Sequence, residues 1–265
     1  MKQKISITID ERTLKEIDSI VDNVLIRNRS QAIEFLTRNA LGDNKVAVIL
    51  SGGSEKALRI GKDYRITVPI KNSTLIEVGL RKLKRNGFKE VYIIARKKIL
   101  TKLFDIVGNG NLYGITVHYV EESQSRGTAE SLKLIKGMIN NTFLVVYGDI
   151  IFNKINLEEL WKQHVRQKRL ATLMLTTSAT PTKKGIVRVE GTRVIEFIQK
   201  PRKSDIYIGF SSMFIAEPDI LSYKGNSLEN EIFPQLAKKG LLNGHLSSEK
   251  EIHVHNEQDV KTSKF

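Results

Sequence analysis

The chain has 265 residues, no cysteine and 40% hydrophobic residues, room for one large domain plus a small one, and it excludes disulfides and thiolate metal sites. No charged, apolar and small-residue leader opens it and no apolar run reaches the roughly 18 residues of a membrane span, so a soluble, cytoplasmic protein with no membrane partner is expected. The formal net charge of +14 points to polyanionic partners, yet residues 1–45 hold eight basic and seven acidic residues, so nearly all of the excess lies downstream.

Residues 4–9 read Lys-Ile-Ser-Ile-Thr-Ile. Strict alternation is the period of a half-buried strand, with Ile5, Ile7 and Ile9 on one face and Lys4, Ser6 and Thr8 on the other. Asp10 is placed to cap a helix, along which Leu14, Ile17, Ile20, Val21 and Val24 recur at helical spacing. Ser30 is the expected cap of a second helix with Ala32, Ile33, Phe35, Leu36 and Ala40 on its apolar face, and Gly42 follows its end. One strand and two short helices cannot bury a core alone, and a lone strand leaves both edges unpaired. Pairing with a second copy answers both problems.

With Arg29-Ser30-Gln31-Ala32-Ile33 at the entry to its second helix, this segment resembles the ribbon-helix-helix family. The resemblance implies a homodimer, with further association on DNA, whose two-stranded ribbon enters the major groove of double-stranded DNA. Lys4, Ser6 and Thr8 would meet base edges, and Arg29, Ser30 and Gln31 a phosphate. The competing reading is a dimerisation module that never meets DNA.

The expected division is a ribbon-helix-helix unit at 1–42, a linker at 43–45 and an α/β domain at 46–265. Val46-Ala47-Val48-Ile49-Leu50 reads as a buried parallel strand, followed by Gly52-Gly53. Further strands are expected at 90–95, 115–120, 143–147 and 170–176, and helices at 74–86, 98–107, 128–138 and 157–168. Strand-helix alternation of this kind predicts an α/β fold with a Rossmann-like, doubly wound mixed sheet.

Five motifs stand in order on this pattern: Leu50-Ser51-Gly52-Gly53; Val68-Pro69-Ile70 with Leu75-Ile76-Glu77; Arg126-Gly127-Thr128-Ala129-Glu130; Tyr147-Gly148-Asp149; and Gln199-Lys200-Pro201. Together they resemble the sugar-phosphate nucleotidyltransferases, of the glucose-1-phosphate thymidylyltransferase and mannose-1-phosphate guanylyltransferase kind. The resemblance implies that Gly52, Gly53, Gly127 and Thr128 bind a nucleotide, that Arg65 supplies positive charge, that Lys200 meets a sugar phosphate and that Asp149 holds Mg2+. Joining two phosphate-bearing substrates is positioning plus charge neutralisation, so cations and metal-holding carboxylates are what the chemistry needs.

The chain departs from that pattern at several charged positions. Ser54-Glu55-Lys56-Ala57 replaces the family's loop, with Ala57 in the arginine's place and Glu55 set where phosphate oxygens would approach; Lys56 and Arg59 are out of register. Tyr64-Arg65 replaces Pro-Lys. Ile252-His253-Val254-His255 is the best counterpart of the late segment carrying the second metal aspartate, with His253 in its place and His255 on the same side of the expected strand, a pairing that also suits a transition metal. Phe210-Ser211-Ser212 replaces Asn-Ala-Gly. These departures favour a domain that has lost catalysis, with no catalytic residue assigned: a DNA-binding transcription regulator sensing a nucleotide, sugar phosphate or nucleotide-sugar as effector. The alternative is an active transferase, releasing pyrophosphate, with an N-terminal dimerisation or autoregulatory module.

Overall fold

A computed structural model describes residues 4–22, 26–41, 45–124 and 126–262. They divide into two compact units, Met1–Asn44 and Lys45–Phe265.

In the first unit, helix Glu11–Ser19 starts where expected: the Asp10 carboxylate accepts from the Thr13 backbone N–H at 3.0 Å and from its hydroxyl at 2.6 Å. Helix Arg29–Leu41 begins two residues earlier than its sequence suggests. Its cap is Asn28, whose Oδ1 accepts from the Gln31 N–H at 3.0 Å, rather than Ser30. Arg29 then points back to the first helix, Nε and Nη2 each donating to the Asp18 carboxylate at 2.7 Å, the bidentate geometry of a strong ion pair. Ile17 and Ala32 are the buried residues between the helices. The expected strand at 4–9 is not formed: residues 4–10 carry no ladder, and Ile5 and Ile7 are 71% and 54% exposed. A strand needs a partner edge, and none of the described strands pairs with this segment. Val24, Gly42 and linker residues 43–44 lie outside the described residues, and Lys45 is the first residue of a strand rather than linker.

The second unit is built on a nine-stranded sheet. In spatial order its strands are Ala171–Thr177, Leu242–Leu246, Arg193–Gln199, Gly185–Glu190, Ile208–Ala216, Phe143–Tyr147, Lys45–Ser51, Phe88–Ala95 and Thr116–Glu121. The last four are mutually parallel. Ile208–Ala216 runs antiparallel to Phe143–Tyr147 and also pairs with Ala171–Thr177, so the first five strands close on one another. The apolar runs have a simple cause. Val46, Val48 and Leu50 face one core while Ala47 and Ile49 face the other; a parallel strand covered on both sides has no polar face. Helices Leu75–Arg85, Lys97–Val107 and Leu157–Gln167 cover one face, and Thr128–Lys133 and Phe233–Lys238 the other.

The helix expected at 128–138 ends at Lys133. Beyond it Leu134, Ile135 and Lys136 bond to carbonyls three residues back, tightening the chain into turns that still deliver Ile135 and Ile139 to the core.

Topology places the site. From Lys45–Ser51 the chain moves outward to Phe88–Ala95 and Thr116–Glu121, then returns to Phe143–Tyr147 on the other side of the first strand. That reversal is a switch point, and a crevice opens at the carboxyl ends of the two strands that flank it.

Candidate active site

Two cavities meet at that crevice. The smaller, about 260 Å³, is lined by Ser51, Gly52, Gly53, Leu58, Arg65, Gly127, Thr128, Tyr147 and Asp149 among others. The larger, about 430 Å³, is lined by Tyr147, Asp149, Lys183, Lys184, Gln199, Lys200, Phe210, Ser212, Glu229, His253 and His255 among others. Tyr147 and Asp149 belong to both.

The glycine turn is shaped by an acid that no motif announces. Glu122, 1% exposed, accepts from the Gly53 N–H at 2.8 Å and from the Ser131 hydroxyl. Arg96 lies 3.9 Å from the same carboxylate and donates to the Gly53 carbonyl at 3.2 Å. A Cβ on Gly52 would stand 2.7 Å from Glu122 Oε1, so only glycine lets the strand end approach that carboxylate. Glu55 does not intrude on phosphate space, contrary to expectation: its carboxylate is 3.5 Å from Lys98 Nζ, and neither it nor Ala57 lines the cavity. Lys56 and Arg59 do not line it either; Arg59 lies over the Tyr64 ring. Arg65 is the cation the smaller cavity receives.

Gly127 has φ +129°, and a Cβ there would collide with the Asn226 carbonyl. Thr128 is fixed beside it, donating to Glu229 Oε2 at 2.7 Å and accepting from the Leu228 N–H at 2.9 Å. Glu229, buried on a π-helical turn at Leu228–Ile232, also takes the Tyr147 hydroxyl; burial, followed by that acid, pushes the Tyr147 phenol well above its ordinary range. Neither Glu122 nor Glu229 was legible as a site residue.

Asp149 sits at the centre. Arg65 Nη1 donates to its Oδ2 at 3.1 Å, and His255 Nε2 lies 3.2 Å from the same oxygen. Burial pushes this carboxyl up, but the His255 hydrogen bond and the charges of His253, His255 and Arg65 outweigh it and hold the group below its ordinary value. The histidines arrive on a short antiparallel ladder, Ile252–His253 against Ile150–Ile151, with the Val254 N–H donating to the Asp149 carbonyl at 2.8 Å. Lys200 lines the larger cavity in the left-handed region, φ +46°. Ser212, at the expected glycine position, keeps the left-handed backbone, φ +51°, without being glycine.

Five buried side-chain polar atoms among the described residues have no hydrogen-bond partner, and three of them, Arg65 Nε, Gln199 Oε1 and His253 Nδ1, belong to residues lining these cavities. Buried polar groups are rarely left so, which makes these three atoms candidate contacts for a ligand. The structure thus brings together all the sequence-predicted ligand residues: Gly52, Gly53, Arg65, Gly127, Thr128, Asp149 and Lys200. The residues expected to meet DNA are a different matter. Lys4, Ser6, Thr8 and Ser30 are exposed, but Arg29 is spent on Asp18, and Gln31 Oε1 accepts from the Arg27 N–H at 2.7 Å.

A doubly wound sheet with a glycine turn and a carboxylate at its switch point is an architecture for binding nucleotides. Comparison with known proteins narrows the class: the chain belongs to the Nucleotidyl transferase family, whose model matches residues 46–252. It is 29% identical over 208 residues to a mannose-1-phosphate guanylyltransferase catalytic subunit beta of Dictyostelium discoideum, covering 72% of this chain and 55% of that one. A mannose-1-phosphate guanyltransferase of Yarrowia lipolytica is 26% identical over 208 residues, with 72% and 55% covered. The chain therefore spans about half the length of the curated relatives it matches. A solved structure described as a glucose-1-phosphate thymidylyltransferase from Bacillus anthracis, in complex with a sucrose, superposes with a TM-score of 0.73 at 20% identity, covering 82% of this chain and 92% of that one, and supports the fold.

These findings correct the expected function. A DNA-binding regulator carrying a catalytically dead sensor domain is overturned by relatives named for guanylyl transfer and by a transferase family match over most of the chain. DNA as partner falls with it. The ribbon-helix-helix assignment is not supported by any of these likenesses, which concern the α/β unit. Among the described residues no helix is long and apolar enough to cross a membrane.

Nucleotidyl transferases generally use Mg2+. The donor set beside Asp149 does not fit that ion. Mg2+ demands oxygen ligands in near-octahedral array, whereas the groups gathered here are one carboxylate and two imidazoles.

Proposed function

We propose that the α/β unit transfers a nucleotidyl group from a nucleoside triphosphate to a sugar 1-phosphate, with GTP and mannose 1-phosphate as the first pair to test, given the names of its relatives. A phosphate oxygen of the sugar 1-phosphate attacks the α-phosphorus; the new P–O bond forms as the bond to the bridging oxygen breaks, and pyrophosphate leaves with that electron pair. The observation that carries this reading is the junction of the two cavities at Tyr147 and Asp149, where Arg65, on the wall of the smaller cavity, donates to the Asp149 carboxylate. The nucleotide occupies the smaller cavity, its phosphates near the Gly52-Gly53 turn, and the sugar phosphate lies among Lys183, Lys184 and Lys200. Arg65, in the smaller cavity and bonded to the Asp149 shared by both, offsets the repulsion of the two substrates. Incubation of the full chain with each nucleoside triphosphate and a panel of sugar 1-phosphates, with products read by mass spectrometry, tests it. A nucleoside-diphosphate sugar is the expected product; none with any pair refutes the reading.

The N-terminal unit completes this alternative as a self-association module, in which the 4–9 segments of two chains pair in ribbon-helix-helix fashion. The exposure of Ile5 and Ile7 supports it. Sedimentation of the full chain should show dimers that dissociate in an Ile5→Ser/Ile7→Ser variant; a wild-type monomer at all concentrations contradicts it.

A further inference from the structure

We infer that Asp149, His253 and His255 bind a divalent transition-metal ion of the Mn2+ to Zn2+ series in preference to Mg2+. The three residues each offer one ligand atom, and these atoms lie within 4.8 Å of one another. A tetrahedral ion with bonds near 2.0 Å sets its donors roughly 3.3 Å apart, so rotation of the side chains closes the set.

A second observation points to the same ligand. His253 Nε2 lies 3.0 Å from Glu251 Oε1, while its Nδ1 is buried without a partner. A carboxylate that takes the proton-bearing nitrogen fixes the tautomer, leaving the other nitrogen's lone pair free for a metal. Glu251 is itself immobilised: its side chain is fully buried, and it is held by Lys184 and Ser211. A carboxylate-histidine-metal relay is therefore assembled except for the ion. The backbone contributes too, since the ladder between Ile252–His253 and Ile150–Ile151 fixes the separation of the two segments.

Donor chemistry decides which ion. Imidazole nitrogen suits Fe2+, Ni2+, Cu2+ and Zn2+, and affinity rises from Mn2+ through Co2+ and Ni2+ and remains high at Zn2+. Two histidines and one carboxylate leave a coordination position open, as sites at reacting centres do. All three residues line the larger cavity, so that position is accessible to a substrate phosphate oxygen.

This inference concerns the site of the proposed transferase, but its test reads the ion alone. The full-length chain, stripped with chelator, is titrated with Zn2+, Mn2+ and Mg2+ by calorimetry and with Co2+ by visible d–d absorption. One Zn2+ or Co2+ per chain is expected, with Zn2+ tighter than Mg2+ by at least about 100-fold. Glu251→Gln should weaken Zn2+ by about 10- to 100-fold, and His255→Ala, at a half-exposed ring, should weaken it at least as much without unfolding the chain. Equal affinity for Zn2+ and Mg2+, or Zn2+ affinity unchanged in both His255→Ala and His253→Ala, overturns the assignment. An enzyme without turnover that still shows these titrations would refute the transferase reading and leave the metal site standing.

Discussion

In the proposed reaction Arg65 supplies alone, in the smaller cavity, the positive charge for which the resemblance implies more than one cation. Ala57 removes the side chain of the glycine loop, and the structure supplies no replacement from Lys56 or Arg59. Arg65→Ala should therefore lower kcat/KM by roughly 10²- to 10³-fold, the usual cost of losing one preorganised charge-stabilising group, with little change in Tm because the side chain is only partly buried. Arg65→Lys should recover part of the loss, since a point charge survives there. Steady-state kinetics and thermal denaturation of both variants check this. Ser212 offers a second residue-level test. Its φ of +51° burdens a non-glycine residue, so Ser212→Gly should stabilise the fold by about 0.5–1 kcal/mol after the entropy cost of glycine, read by urea denaturation. The position was legible as a departure from the expected Asn-Ala-Gly; that the backbone kept the glycine conformation was not. Glu122 and Glu229 were illegible for a different reason. Each becomes a site residue only when burial and a partner far along the chain define it, Gly53 for one and Thr128 for the other.

At the scale of elements, the parallel strands were legible because burial on both faces writes itself as an apolar run. The antiparallel strands were harder. Gly185–Glu190 and Arg193–Gln199 have one face turned outward, where Arg188 and Glu196 pair at 3.3 Å, so their signal is a short alternation rather than a run. Gly191-Thr192 between them, with Gly191 at φ +57°, was the overlooked hairpin signal. The start of helix Leu75–Arg85 shows how the elements are tied. Thr74 and Glu77 form a capping box, and the Tyr113 hydroxyl donates to Glu77 at 2.8 Å. Burial, then the Glu77 hydrogen bond and charge, pushes the Tyr113 phenol up from 10 to about 12. A phenol whose pKa rises on folding stabilises the native state fully below its unfolded value, and that contribution fades as pH climbs from 10 towards 12. Alkaline denaturation should show this decline in the wild type, and a shallower one in Tyr113→Phe; identical profiles would show that the contact contributes nothing.

On the scale of the whole molecule, two units with different legibility share one chain. In the N-terminal unit the Asp10 cap and the start of the first helix were readable from local signals, but that helix stops at Ser19, short of Ile20 and Val21, the second is capped by Asn28 rather than Ser30, and the strand expected at 4–9 is not formed. In the α/β unit the order of motifs identified the fold, and the switch point gathered them into one crevice. Counting altered charged positions led to the expectation of a dead enzyme, because sequence distance hides which groups meet: Glu55 turns to Lys98, Arg65 reaches Asp149, and two histidines converge on the same carboxylate. The central claim is that this crevice performs nucleotidyl transfer. The most direct measurement is pyrophosphate release by the full-length protein supplied with GTP and mannose 1-phosphate, and in parallel with the other triphosphates and sugar 1-phosphates, for the wild type and Asp149→Asn. Release that requires both substrates and is lost in a folded Asp149→Asn is the predicted result; no release from any pair, or release that survives in Asp149→Asn, would contradict it.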